Sequence, residues 1–308
     1  MDTHAEAMLE RIDACHDERP DEAAALLTAL DVAALPAERH PRLAYLLNHV
    51  LGERLGRWAE AQQRQQTLLD VATASPVLLR QAAVAAQLAN DAPRAQALRA
   101  AFAGATQADA AQVAQLIELS AAMFSVASLD ARTAGELALQ ALGPLDGASW
   151  QTAGPLDAAA ATACNNIASS FIERPMADLA QASLRAALAR AAECSQRLWR
   201  RAGSWVNEER ACYLRAMACH ALGEPHRALE HAREGLALLD ANDAAHEQGV
   251  DRAFLELEHA HACRRLGLPG DAEAAASRAQ RLAASFNDAS LTQWFETRRA
   301  KLATMLRG

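Results

Sequence analysis

Apolar residues recur along this chain at intervals of three and four, the spacing of one buried helix face. Gly, Pro or Asp breaks the pattern at nearly regular distances. Thr3 to Cys15 carries Ala7, Met8, Ile12, Ala14 and Cys15 at helical spacing, and Pro20-Asp21 opens a second helix expected to run to about Ala34. Proline is tolerated there because the first helical turn has no partner for its missing N–H. Pro41 starts the next helix, which turns through residues 54–61 into a partner ending near Ala74. Ser75-Pro76 opens a third pair, turning between Leu88 and Pro93 and ending near Ala103. Ala108 to Ala127 and the stretch from Asp130 to Leu142 form a fourth. The fifth turns at Glu173-Arg174-Pro175, and its second helix is read from Ala180, Leu184, Ala187 and Leu188. Two further pairs follow, then a last helix from Ala289 to Arg307 with Leu291, Trp294, Phe295, Leu302 and Met305 assigned to one face.

The sixth and seventh pairs are copies of each other. At an offset of 44 they match at Ala216/Ala260, Ala218/Ala262, Cys219/Cys263, Leu222/Leu266, Gly223/Gly267, Pro225/Pro269 and Ala228/Ala272. A helix pair repeated at a fixed period is one unit stacked on itself. Leu55-Gly56-Arg57-Trp58-Ala59-Glu60-Ala61, followed by Leu68-Leu69, resembles the tetratricopeptide repeat; so do the small residues Ala134, Ala138 and Ala141 before Leu142. The turns lie near residues 18, 56, 90, 129, 175, 223 and 267, so their spacing lengthens toward the C-terminus. That lengthening resembles the extended-helix variants of bacterial regulatory proteins. The resemblance implies an all-α fold: a right-handed superhelix of about seven hairpins closed by a C-terminal capping helix. Three Gly and two Pro between Gly143 and Pro155 make the strongest break in the chain. The expected organisation is therefore an N-terminal array over 1–142, a connection over 143–155 and a C-terminal array over 156–308, with one continuous superhelix as the alternative.

Composition supports helix throughout. The chain of 308 residues is 51% hydrophobic but only 4% aromatic, with Ala, the best helix former, commonest. Its net charge of −8 argues against nucleic acid or an acidic membrane surface as partner, since either favours a basic face. The Arg pair 298–299 reads as a solvated helix end, and Lys301 is the only lysine. Six cysteines show no CxxC pair, and the first residues lack the pattern of a signal peptide, so a reduced, cytoplasmic setting is expected.

No phosphate-binding loop, nucleophile elbow or HExxH motif occurs, and Glu208/Glu209 reads as a surface pair with no apolar pocket to raise a pKa. Neither an enzyme nor a cofactor is expected. His259 and His261, two apart on one helix, face different ways. Cys212, Cys219 and Cys263 with His220 or His261 suggest a metal site less than they suggest small residues in a tight seam, so no metal is assigned. In tetratricopeptide-like arrays the first helices line a concave groove. Mapped onto this chain, the groove residues are Asn165, Asn166 and Ser169, then Arg210, Tyr213, Met217 and His220, then Phe254, Leu257, His261, Arg264 and Arg265. Asn166 and Arg210 fall where chaperone-tail-binding members hold a carboxylate, but Leu214 stands where a second cation is needed, so that clamp is not expected. Arg forks and aromatic anchors suit a peptide or partner helix, acidic in part. The expected function is a non-enzymatic interaction scaffold; the alternative is a peptide- or small-ligand-sensing regulatory module. Pairing between copies through the open array ends also stays open.

Overall fold

With Ala and Leu dominating and few β-branched residues, the chain forms helices and, among the described residues, no strand. The computed structural model describes residues 3–71, 75–245 and 247–305; the expected helix ends at Ala74 and Arg307 lie outside them. In order the helices are α1 (Thr3–Cys15), α2 (Pro20–Ala29), α3 (His40–Leu46), α4 (Trp58–Val71), α5 (Pro76–Leu88), α6 (Ala92–Thr106), α7 (Ala110–Ser125) and α8 (Ala131–Leu142). They continue as α9 (Asp157–Glu173), α10 (Ala182–Ala202), α11 (Trp205–Leu222), α12 (Pro225–Asn242), α13 (Gly249–Arg265), α14 (Pro269–Ala283) and α15 (Ala289–Met305). They fall into two compact units divided at Ala160/Ala161, within α9.

In both units neighbouring helices pack pairwise, as in α5 on α6, α11 on α12 and α13 on α14. First helices of successive pairs also touch: α3 meets α5, α5 meets α7, and α11 meets α13. Small side chains permit this approach. Ala82 to Ala86 are all buried in α5, and Ala211, Ala216, Ala218 and Ala221 in α11.

The repeated turns share one geometry. Gly56, Gly223 and Gly267 have φ of +67°, +78° and +72°, and Asn90 fills the equivalent place in the third pair at +62°. A left-handed residue there lets the next N–H reach back and cap an open carbonyl. Asp91 N–H donates to Ala86 O (2.9 Å), Glu224 N–H to Cys219 O (2.8 Å) and Leu268 N–H to Cys263 O (2.9 Å). After Gly56 the bond spans one residue more, from Arg57 N–H to Leu51 O at 2.6 Å, because Leu47–Arg54 is wound as a π-helix. A Cβ on Gly52 in this segment would sit 2.3 Å from the Trp58 ring. The absent side chain lets the next helix close over it.

Several boundaries differ from the expected ones. Helix α2 stops at Ala29, and the expected continuation to Ala34 is a 3-10 turn capped by Asp31, whose side chain accepts from Ala33 N–H. That local bond competes with helix propagation. Ala180 is exposed in a 3-10 turn before α10, while Leu184, Ala187 and Leu188 are buried as expected. The Gly/Pro-rich 143–155 stretch lies in the first unit and makes two short 3-10 turns. It folds back on α7: Trp150 is buried and donates its indole N–H to Gln115 (2.6 Å), and Gln112 donates to the Ser149 carbonyl (2.5 Å). Residues Ala110–Ser128 are long and apolar enough to cross a membrane by length and composition alone; half of that stretch is buried in the fold.

Candidate functional site

Polar residues entering α11 look solvated in sequence, yet they build the floor and wall of a cleft in the second unit. Helix α9 contributes Asn165 and Ser169, one turn apart. Helix α11 contributes Glu209, Arg210, Tyr213, Leu214 and Met217, and α13 contributes Val250, Asp251 and Phe254. Leu291 and Trp294 of α15 complete a cleft of about 430 Å³. Positions three, four and seven apart share a helix face, which is why short stretches of four helices suffice. The aromatic wall is continuous: Phe254 lies 5.9 Å from Tyr213 and 5.2 Å from Trp294, centroid to centroid. Trp294 is 59% exposed, unlike its expected partners Phe295 and Leu302, which are buried. Spacing alone had put all of them on one core face; Trp294 stands at the cleft rim instead.

The charges correct a second expectation. Glu209 is fully buried, and no donor among the described residues reaches either carboxylate oxygen. Burial, reinforced by the adjacent Asp251 carboxylate, pushes its pKa up to about 8. The surface pair expected at Glu208/Glu209 is therefore split: Glu208 bonds Arg200 at 2.9 Å, while Glu209 lies inside as a neutral acid at pH 7 beside a carboxylate. Arg210 donates to Asp251 at 3.0 Å and is already compensated. This cleft therefore holds one cation against two carboxyl groups. It can accept donors and stabilise a positive charge. Its lining includes no histidine, cysteine or lysine that would act as a nucleophile or base.

Of the residues read from sequence as a groove set, Asn165, Ser169, Arg210, Tyr213, Met217 and Phe254 come together here. Asn166 is half-buried beside them and accepts from Asn165 Nδ2 at 3.1 Å. His220 and His261 are buried side by side instead, with ring centroids 4.5 Å apart. His220 Nε2–H donates to the Glu258 carbonyl at 3.1 Å, and burial holds both rings below the usual histidine range, His261 at about 3. Leu257 is buried, and Arg264 and Arg265 are exposed, Arg265 donating to the Met305 carbonyl.

Behind the cleft stands a polar core that sequence reasoning missed. Arg298, read as a solvated helix end, is buried and grips Glu258 through two bonds of 2.7 Å. Its guanidinium also interacts electrostatically with Tyr213, which couples the cleft wall to α15. Lys301 on the same helix donates to the Ile172 carbonyl of α9 at 2.8 Å. Cys219 and Cys263 pack in one small apolar cluster with Ala228, Ala262 and Ala272, and all six cysteines are free and buried.

A larger cleft of about 540 Å³ lies between α12, α13 and α14, but its main charges answer each other. Arg278 forks onto Glu256 (2.5 and 2.9 Å), Arg252 bonds Asp240 (2.7 Å), and Asp243 caps Glu247 and Gln248 N–H. Of these two clefts, the smaller combines an aromatic wall with a buried carboxyl that no N–H donor among the described residues reaches. No protein-family model and no curated protein matches this chain.

Proposed function

We propose that the chain is a non-enzymatic recognition module of tetratricopeptide-like helix pairs, whose second unit takes an extended peptide segment in the α9/α11/α13/α15 cleft. The shared left-handed Gly turns and the contacts between successive first helices support the repeat reading. One observation carries the functional reading: Glu209, fully buried as a protonated carboxyl beside the Asp251 carboxylate, with no N–H donor among the described residues on either oxygen, sits against an aromatic cleft. Burial and the Asp251 carboxylate keep Glu209 protonated, and a cation brought in by a partner would favour its ionised form. The partner segment then carries an apolar or aromatic anchor for Tyr213, Phe254 and Trp294, next to a lysine or arginine that reaches the carboxyl pair. Because Arg210 is already compensated, a basic segment suits this cleft better than the acidic one expected from sequence.

The cleft volume also falls within the range of small-molecule sites, roughly 300–1,000 Å³. It favours a second reading, a sensor of small amines.

A peptide array, with free aliphatic and aromatic amines as soluble competitors, tests both. The wild-type chain is expected to select segments pairing an aromatic residue with Lys or Arg. Trp294→Ala, at an exposed position, and Asp251→Asn, which removes the carboxylate, lose that selection; Arg210→Ala, which uncovers Asp251, keeps or strengthens it, and Met176→Ala, an exposed apolar site outside the cleft, leaves it unchanged. Binding of acidic peptides, or selection unchanged by Trp294→Ala, overturns the peptide reading.

A further inference from the structure

The first unit holds a second constellation, distinct in chemistry from the cleft. His16 and Asp17 lie in the turn after α1, and His49 lies on the π-helical Leu47–Arg54 segment, some thirty residues away in sequence. The fold brings their ligand atoms within 4.8 Å of one another. His49 Nε2 is 3.1 Å from Asp17 Oδ1, and His16 Nε2 is 3.5 Å from Asp17 Oδ2. Ligands about 2.0–2.1 Å from a tetrahedral zinc ion stand roughly 3.3 Å apart. The two measured separations, one to each Asp17 oxygen, lie on either side of that spacing.

The tautomers point the same way. His16 Nδ1–H donates to the Asp13 carbonyl at 2.8 Å, and His49 Nδ1–H donates to Glu53 Oε2 at 2.6 Å. Each ring is thus fixed through one nitrogen and presents Nε2 toward the same aspartate. Metal-binding histidines are held in this way, with an acceptor on the far nitrogen setting the tautomer and raising ligand basicity. The surroundings pack against the pair. Tyr45 stacks on His49 at 5.5 Å with planes 10° apart, and Arg54 donates to the Asp17 carbonyl at 2.6 Å. The π-helical winding gives one more independent sign, since such segments are rare and concentrate at functional sites. An imidazolium paired with Glu53 and Asp17 would account for His49 alone. It leaves unexplained the second ring, turned toward Asp17 and locked by Asp13.

We propose that His16 Nε2, His49 Nε2 and an Asp17 carboxylate oxygen bind one zinc ion, with a fourth position left to water or an anionic ligand group. Three protein ligands and an open position are the pattern of a zinc site accessible to substrate or solvent. Such an ion would join the α1–α2 turn to the π-helical segment. It would be independent of the cleft in the other unit.

The full chain, stripped with a chelator, is titrated with zinc by calorimetry and with cobalt(II) by visible absorption. One ion per chain and the ligand-field bands of a tetrahedral cobalt complex are expected. His16→Ala and Asp17→Asn, at partly or largely exposed side chains, remove the binding without loss of helicity. Glu53→Gln leaves all three ligands in place and weakens binding by roughly ten- to a hundredfold. No stoichiometric zinc binding by the wild type overturns the proposal. So does binding that survives both ligand variants, or a cobalt–thiolate charge-transfer band, which would put the ion on cysteine.

Discussion

Glu209 is the residue on which the cleft turns, and its protonation has a stability signature. In the unfolded chain its carboxyl loses its proton near 4.5, but in the folded chain only near 8. Below the lower value both states hold the proton. Between the two, only the folded chain does, so stability falls as pH rises, by about 1.4 kcal/mol per pH unit for one proton. Glu209→Gln removes this dependence. Urea unfolding should show the variant gaining on the wild type by a few kcal/mol, on the order set by that slope, between pH 4.5 and 8.5. The Glu258–Arg298 pair is the second residue-scale device. Arg298→Met strands a buried carboxylate and is expected to cost about 3–5 kcal/mol in the same assay. Adding Glu258→Gln to that variant recovers most of the loss, because no charge is then left unpaired. Neither device was legible in sequence. Glu208/Glu209 reads as a surface pair, and only the packing of α13 against α11 turns Glu209 inward. Arg298 needs a partner forty residues away on another helix.

At the scale of elements, the sequence is most informative where backbone conformation is restricted to few residue types. The turns at Gly56, Gly223 and Gly267, and the Asn at 90, stand at the expected positions because a left-handed cap admits little else. Nothing touches a Cβ built on Gly223, so Gly223→Ala isolates the conformational cost. A loss of about 1–2 kcal/mol is expected by thermal or urea unfolding, and less for Gly223→Asn, which tolerates that region. Elements defined by hydrogen-bond register were not legible. The π-helical Leu47–Arg54 has the same apolar residues an α-helix would have, and its extra residue per turn leaves no mark in composition. The end of α2 was missed for a related reason, since Asp31 sits inside an otherwise helical pattern and acts through its side chain.

At the scale of the molecule, an Ala-rich composition made the all-helical class plain, and the period made seven pairs and a last helix countable. Which side chains converge was harder. Six of the twelve candidate groove residues line one cleft because repeat register alone places them on first helices. The histidines read with them are drawn into the core, where His220 donates to the Glu258 carbonyl and the His261 ring packs edge-on against it. The central claim is that a partner's donor meets the Glu209–Asp251 pair. Carbon-detected NMR of the Glu209 carboxyl, titrated with and without the tightest-binding basic peptide, tests it most directly. The free chain should titrate near 8. With peptide bound, that titration should move down toward the ordinary carboxylate range, because a cation favours the ionised form, and affinity should rise with pH up to about 8. A Glu209 titration that does not move when the peptide is bound would contradict the account.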